Sequence, residues 1–202
     1  DMVEYIYYMS LNYGGMEVFL ADTTGKVNLL SGSQPQLDGL KLSENGKKAA
    51  YLDTDANTGD TILVEIELGK EKAETVATNV QSFGYIGNTL IYYFDYTEGV
   101  GTLGAAGSKT TIANASGVQF TEGAVYYVAD ADAATGNGEL RAWDGKTETA
   151  IAKDVFAFQY KENGKLVYIG KYDVNAGVGD LYYYDGKDAR KLDTGITAIF
   201  IY

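Results

Sequence analysis

The residues best placed to do chemistry are oxygen donors. The segment DTDANTGD sets the side-chain oxygens of Asp53, Asp55, Asn57 and Asp60 at relative positions one, three, five and eight. Calcium takes six to eight hard oxygen ligands, and alternating donors with a glycine for the sharp turn are how a loop supplies them. These four residues are therefore the candidate metal ligands, with calcium as the candidate cofactor. The pattern departs from an EF-hand loop, whose glycine is sixth and whose bidentate glutamate is twelfth; here Gly59 is seventh and Val64 twelfth. The competing expectation is that Asp and Asn side chains bond their own loop backbone as Asx-turns. DADAATGNGE (130–139) and DVNAGVGD (173–180) keep part of the same donor set.

Other chemistries are excluded by residue type. With no His and no Cys, the chain has no Cys–His or Ser–His nucleophile pair, no disulfide and no common zinc set. The glycine-rich stretches GVGTLGAAG (99–107) and GVGD (177–180) lack the Gly-Lys-Ser/Thr ending of a phosphate loop. Glycoside cleavage needs two facing carboxylates, and the innermost strands supply Asp38 and Glu122, both near strand ends. A net charge of −12 disfavours nucleic acid and favours cationic partners. No apolar run approaches the roughly 18 residues that span a bilayer, so the chain is expected not to be membrane-spanning. No charged-then-apolar leader stands at Asp1, so any signal or anchor is expected to have been removed.

The elements that must position these residues repeat. GELRAWDGKTETAIAKDV (138–155) and GDLYYYDGKDARKLDTGI (179–196) share their first glycine, an acid, a leucine and an Asp-Gly-Lys turn, 41 residues apart. Upstream strands place Tyr8, Tyr51, Tyr93, Tyr127 and Tyr168 in one register, at spacings of 43, 42, 34 and 41. Each Tyr strand is followed by a polar loop, a further strand, a Gly-Lys turn (at Gly25, Gly69, Gly145 and Gly186, blurred to Gly107-Ser108-Lys109 in the third copy) and an outer strand. A fourth strand (LDGLKLS, VQSFGYI, SGVQFTE, VFAFQYK, ITAIFIY) then leads into the next Tyr strand, through Asn45-Gly46, Glu122-Gly123 or Asn163-Gly164 in three of the copies. Such turns mark hairpins, so this strand lies innermost and pairs with the Tyr strand after it. Four short strands per repeat make one blade.

The expected fold is all-β: a five-bladed β-propeller with four antiparallel strands per blade, residues 1–202 forming one domain. The chain starts with a Tyr strand lacking its inner partner and ends with an inner strand lacking its follower, so pairing of the N- and C-terminal strands is expected to close the ring. The repeat resembles TolB-like propellers and, in its Tyr strand, acidic loop and GDLYYYDGK segment, the repeat regions of bacterial cell-envelope proteins. Those regions often follow a zinc ribbon and membrane anchor, neither of which is in this chain. The resemblance implies an extracellular or cell-envelope location.

Loops alternate between the two ends of such blades. Those after the Tyr strands carry Asp53, Asp55 and Asp60, then Asp95 and Glu98, then Asp130, Asp132 and Glu139, then Asp173 and Asp180. The opposite turns carry Lys26, Lys70, Lys109, Lys146 and Lys187, with Lys47, Lys48 and Lys165 near the inner hairpins. An acidic end and a basic end are expected, a field that orients charged partners. Trp143 is expected in the core. Tyr96 and Tyr172, being loop aromatics, join Asp130, Asp132 and Asp173 as candidate ligand-binding residues. The expected function is a non-catalytic binding or scaffold module that contacts a protein or glycan through the acidic loops. A lectin-like sugar binder is the second reading and a propeller glycoside hydrolase the third.

Overall fold

The computed structural model describes residues 5–12, 15–22, 27–30, 36–70 and 72–200, with side chains at 19–21 and at 39–200 apart from 71. Every regular element among them is a strand: β1 (Tyr5–Asn12), β2 (Gly15–Asp22), β3 (Val27–Leu30), β4 (Gln36–Leu42), β5 (Lys48–Thr54), β6 (Thr61–Glu67), β7 (Lys72–Thr78), β8 (Val80–Ile86), β9 (Thr89–Thr97), β10 (Val100–Ala105), β11 (Thr111–Phe120), β12 (Val125–Ala129), β13 (Gly138–Trp143), β14 (Glu148–Glu162), β15 (Lys165–Asp173), β16 (Val178–Tyr184) and β17 (Ala189–Ile196). No helix among the described residues is long and apolar enough to cross a membrane.

The chain divides into two compact units, residues 1–96 with 104–109, and residues 97–103 with 110–202. The first holds a three-stranded sheet, β1-β2-β3, a four-stranded meander, β4-β5-β6-β7, and the β8–β9 hairpin. In the second, β11 to β17 hydrogen-bond in sequence order. All these pairings are antiparallel. In the complete meander the Tyr strand β5 lies between β4 and β6, the place the hairpin turns predict.

Apolar residues stand on both faces of the Tyr strands, and the structure buries both. On β5, Ala49, Ala50 and Tyr51 are inaccessible to solvent. Ala49 and Tyr51 pack with Val64, Ile66 and Leu20 of β2. Ala50 points the other way, onto Leu63, Val80, Phe83 and Leu90. Since strand side chains alternate sides, a sheet with two apolar faces must be covered by a neighbour on each. The second unit has its own core, in which Tyr126, Val128 and Leu140 meet Val155, Phe158, Leu166 and Tyr168. The repeated Tyr51, Tyr93, Tyr127 and Tyr168 are all buried; the side chain of Tyr8 lies outside the described residues. Trp143 is in the core, as its sequence context predicts.

Two expected strand breaks are absent. KTTIAN and SGVQFTE merge into β11, and ETAIA and VFAFQYK merge into β14. The N-terminal half of β14 pairs with β13 and its C-terminal half, from Val155, with β15. The change of partner occurs at Asp154, whose φ is 54°. Asn114 (φ 55°) bends β11 alike, and Asn79 (φ 55°) separates β7 from β8. Asn and Asp enter this left-handed conformation at lower cost than other non-glycine residues. Each is matched further along by a second positive-φ residue, Asp95, Asp130 or Lys171. Asp95 N–H donates to Asn79 O at 3.1 Å and Asp130 N–H to Asn114 O at 3.1 Å. The matching amides, Asn79 Nδ2 and Asn114 Nδ2, donate to the Asp95 and Asp130 carboxylates at 3.3 and 3.2 Å.

The expected clasp is not formed among the described residues. No sheet closes on itself, β17 ends at Ile196, and residues 197–200 carry no strand. Residues 201–202 and Lys26 lie outside the described residues, as does the side chain of Asp38.

Candidate functional site: the acidic loops

Three of the loops after Tyr strands share one construction. Asp55 Oδ1 accepts from the N–H groups of Asn57 and Thr58 at 2.8 and 3.1 Å. Asp132 Oδ1 accepts from those of Ala134 and Thr135 at 3.0 and 2.8 Å, and Asp173 Oδ1 from those of Asn175 and Ala176 at 2.8 and 3.2 Å. Four residues after each Asp a glycine with positive φ, Gly59, Gly136 or Gly177, returns its N–H to the Asp carbonyl at 2.7 to 2.8 Å. These N–H donors hold the carboxyls of Asp55 and Asp132 below the usual carboxylate range.

The same construction bears on the metal reading. Asp55 turns one carboxylate oxygen into its own loop, while Asp53 is buried at the end of β5 and accepts from the Thr54 N–H at 2.7 Å. Asn57 and Asp60 are exposed. No three carboxylates among the described residues are grouped to hold a metal ion. The Asx-turn, the competing expectation for these oxygens, is the one visible in the geometry.

In the second unit two of these loops are joined. Asn137 follows the 132–136 turn, and its side chain imitates a strand: Nδ2 donates to Tyr172 O at 2.9 Å and Oδ1 accepts from Tyr172 N–H at 3.1 Å. The Tyr172 ring stacks on Phe156 with centroids 3.9 Å apart and planes 9° apart. Gly136 leaves room for the Phe156 ring, to which a Cβ there would approach to 3.0 Å. Phe156 stays 37% exposed and Val174, on the neighbouring turn, 53% exposed. Asp130, Asp132, Tyr172 and Asp173 thus belong to one connected structure of two loops and a shared aromatic pair. Tyr172, expected as a loop aromatic with no structural need of blade packing, lies in β15 and is half-buried by this stacking.

Tyr96 belongs to the first unit. It is 46% exposed and meets Tyr93 edge-on at 5.8 Å. The loop that follows is cut to a two-residue turn, Glu98-Gly99, with both φ angles positive, which supplies part of the shortening to a spacing of 34 in the third repeat. Asn137 and Phe156 are the residues the sequence reading missed. Asn137 had a visible signal, being the amide that follows the turn glycine in DADAATGNGE. Phe156 had none, because VFAFQYK does not reveal which of its aromatics the bend at Asp154 turns outward.

The opposite turns are less basic than expected. The Asp-Gly-Lys turns are Asx-turns too: Asp144 Oδ1 accepts from the N–H groups of Lys146 and Thr147, and Asp185 Oδ1 from those of Lys187 and Asp188, at 2.6 to 2.9 Å. Because the acceptor in these turns is Asp, a carboxylate stands beside each lysine. Lys70 likewise pairs with Glu67 at 2.7 Å and Lys48 with Glu65 at 2.8 Å.

No known protein family matches this sequence, and no curated protein does. Solved structures resemble it in fold. The β-propeller domain of the Trilobed protease from Pyrococcus furiosus, described as having an open velcro topology, superposes with a TM-score of 0.57 at 13% identity, over 94% of this chain and 67% of that one. Pyrococcus horikoshii acylaminoacyl peptidase gives 0.51 at 13% identity, over 93% and 38%. The tricorn protease gives 0.52 at 12% identity, over 98% and 26%. The chain spans under two-fifths of the length of the acylaminoacyl peptidases it resembles. At these identities the likeness concerns the fold, which is propeller-like.

Proposed function

We propose that this chain is a non-catalytic binding or scaffold module, extracellular or in a bacterial cell envelope, that contacts a protein or glycan through its acidic loops. The observation that carries the reading is the pair of acidic loops in the second unit, those of Asp132 and Asp173, which the Asn137 bridge to Tyr172 joins beside the Phe156–Tyr172 stack. Loops already fixed by their own Asx-turns and by the Asn137 bridge lose little freedom on binding, which leaves more of the contact energy as affinity. Aromatic groups beside carboxylates suit either a basic protein surface or a sugar. The differing loop lengths support one site rather than one per blade. The envelope location rests on the resemblance of the repeat.

The fold proposal belongs with this reading. It is a five-bladed ring in which β1 to β3 form a blade completed by a strand from residues 196–202. In support, β1-β2-β3 is a three-stranded sheet with β1 at its edge, whereas β4 to β7 form a full four.

A glycan array and a panel of basic proteins, probed with the wild-type chain and with the Asp130→Asn, Asp132→Asn, Asp173→Asn triple variant, test the function. Asn keeps the Oδ1 acceptor of the Asp132 and Asp173 turns and of the Asn114–Asp130 bond, and removes the charge. The expected result is a variant that still melts cooperatively and binds at least tenfold more weakly. Binding that is equal in the two proteins contradicts the proposal.

A further inference from the structure

At the other end of the strands, the second unit contains a recess of about 370 Å³ lined by Phe120, Thr121, Glu122, Tyr160, Lys161, Glu162 and Asn163. It lies between two inner hairpin turns, Thr121–Ala124 and Glu162–Lys165. The two strands that carry these turns are tied together by Gln119, whose Nε2 donates to Phe158 O at 3.0 Å and whose Oε1 accepts from Tyr160 N–H at 3.0 Å. Both rims are fixed. Thr121 Oγ1 donates to Ala124 O at 2.7 Å, Gly164 N–H donates to the Tyr160 hydroxyl at 3.2 Å, and the Tyr160 ring packs on Tyr126 at 5.0 Å.

The first unit shows what the repeat does when no space is kept. There the corresponding hairpin tips meet directly: Glu44 N–H donates to Gly87 O at 3.0 Å and Asn45 N–H to Asn88 Oδ1 at 3.0 Å. In the second unit the recess lies between the corresponding turns. The volume of the recess falls in the range of small-molecule sites.

We propose that this recess is a binding site for a neutral polyhydroxylated ligand, a single sugar ring. The lining argues by elimination. An anion would face Glu122 and Glu162, and for a cation the Lys161 ammonium offsets one of those two carboxylates, so neither sign of ion finds a strongly complementary charge. A neutral polyol uses all three, because hydroxyls donate to carboxylates and accept from an ammonium, and Asn163 can do both. Phe120 and Tyr160 supply apolar faces for the C–H side of a ring. The site is separate from the acidic loops and independent of the reading given to them.

Methyl glycosides of glucose, galactose and N-acetylglucosamine, titrated to millimolar concentration against the amide NMR spectrum of the full chain, test this. At least one is expected to shift residues 120–124 and 160–164. Glu162→Gln, a change at an exposed position, should weaken that sugar roughly tenfold by exchanging a charged for a neutral acceptor. The loop triple variant should leave the titration unchanged, which separates failure here from failure of the loop proposal. Three results overturn it: no shift at these residues with any of the sugars, equal affinity in Glu162→Gln, or shifts produced there by tetramethylammonium or inorganic phosphate but not by the sugars.

Discussion

Tyr93, Tyr127 and Tyr168 occupy the same register in successive repeats, and their phenols are kept neutral by burial. Burial raises all three pKa values, that of Tyr93 to about 12, with Tyr96 adding to the effect there and the Glu148 carboxylate to that at Tyr127. A pKa raised in the folded state gives stability that is complete below the unfolded value, 10.0 for tyrosine, and is lost as pH climbs towards the folded one. Stability should therefore hold from neutral pH to about pH 10 and then fall. In a spectrophotometric titration the exposed tyrosines should ionise first and the buried ones only with cooperative unfolding; all 18 ionising together near their ordinary pKa would count against this packing. At the acid end the sign reverses. Asp55, Asp132, Asp144 and Asp185 have lowered pKa values because backbone N–H groups bond their carboxylates, so their contribution is present above about pH 4 and lost below it. The tyrosine register and the Asx-turn reading of the loops were legible, since both follow from local spacing. The Phe156–Tyr172 stack was not, because it depends on how a bend in one strand faces the end of the next.

Gly138 and Gly179 open β13 and precede the core of β16, and they were the first shared letters of the two clearest repeats. The structure supplies the reason. A Cβ at Gly138 would press on the Ala129 carbonyl and lie 2.6 Å from Val128 Cγ1, and one at Gly179 would lie 2.5 Å from Ile169 Cγ2 and 2.9 Å from the Gly170 carbonyl. Ala129 and Gly170 come just before the positive-φ residues Asp130 and Lys171, so each glycine lets two backbones close up where the Tyr strand turns away. Gly138→Ala should cost about 1–3 kcal/mol through overpacking. Gly123→Ala, with open space around its Cβ, should stay within about 0.5 kcal/mol. Paired thermal melts check this, and equal melting temperatures would remove the explanation. The order of strands within a repeat was legible from its Asn-Gly and Glu-Gly turns. The merging of outer and inner strands into β11 and β14 was not, because Asn114 and Asp154 look like ordinary loop residues until their partners at Asp130 and Lys171 are placed.

For the whole molecule, the period of about forty residues led to a propeller-like fold, and solved structures share that fold. Ring closure is expected from the strand order at the two ends, and no sheet among the described residues closes on itself. If residues 196–202 complete the first blade, deleting 197–202 should lower the melting temperature and speed hydrogen exchange in β1. Unchanged exchange in β1 would rule the closure out. The central claim concerns where a partner sits. Hydrogen exchange of the chain, free and bound to the glycan or basic protein that the screen retains, measures that directly. The account predicts protection at residues 130–137 and 172–177 and at Phe156, with the Asp-Gly-Lys turns at 144–147 and 185–188 unchanged. Protection confined to those turns, with the acidic loops exchanging freely, would contradict it.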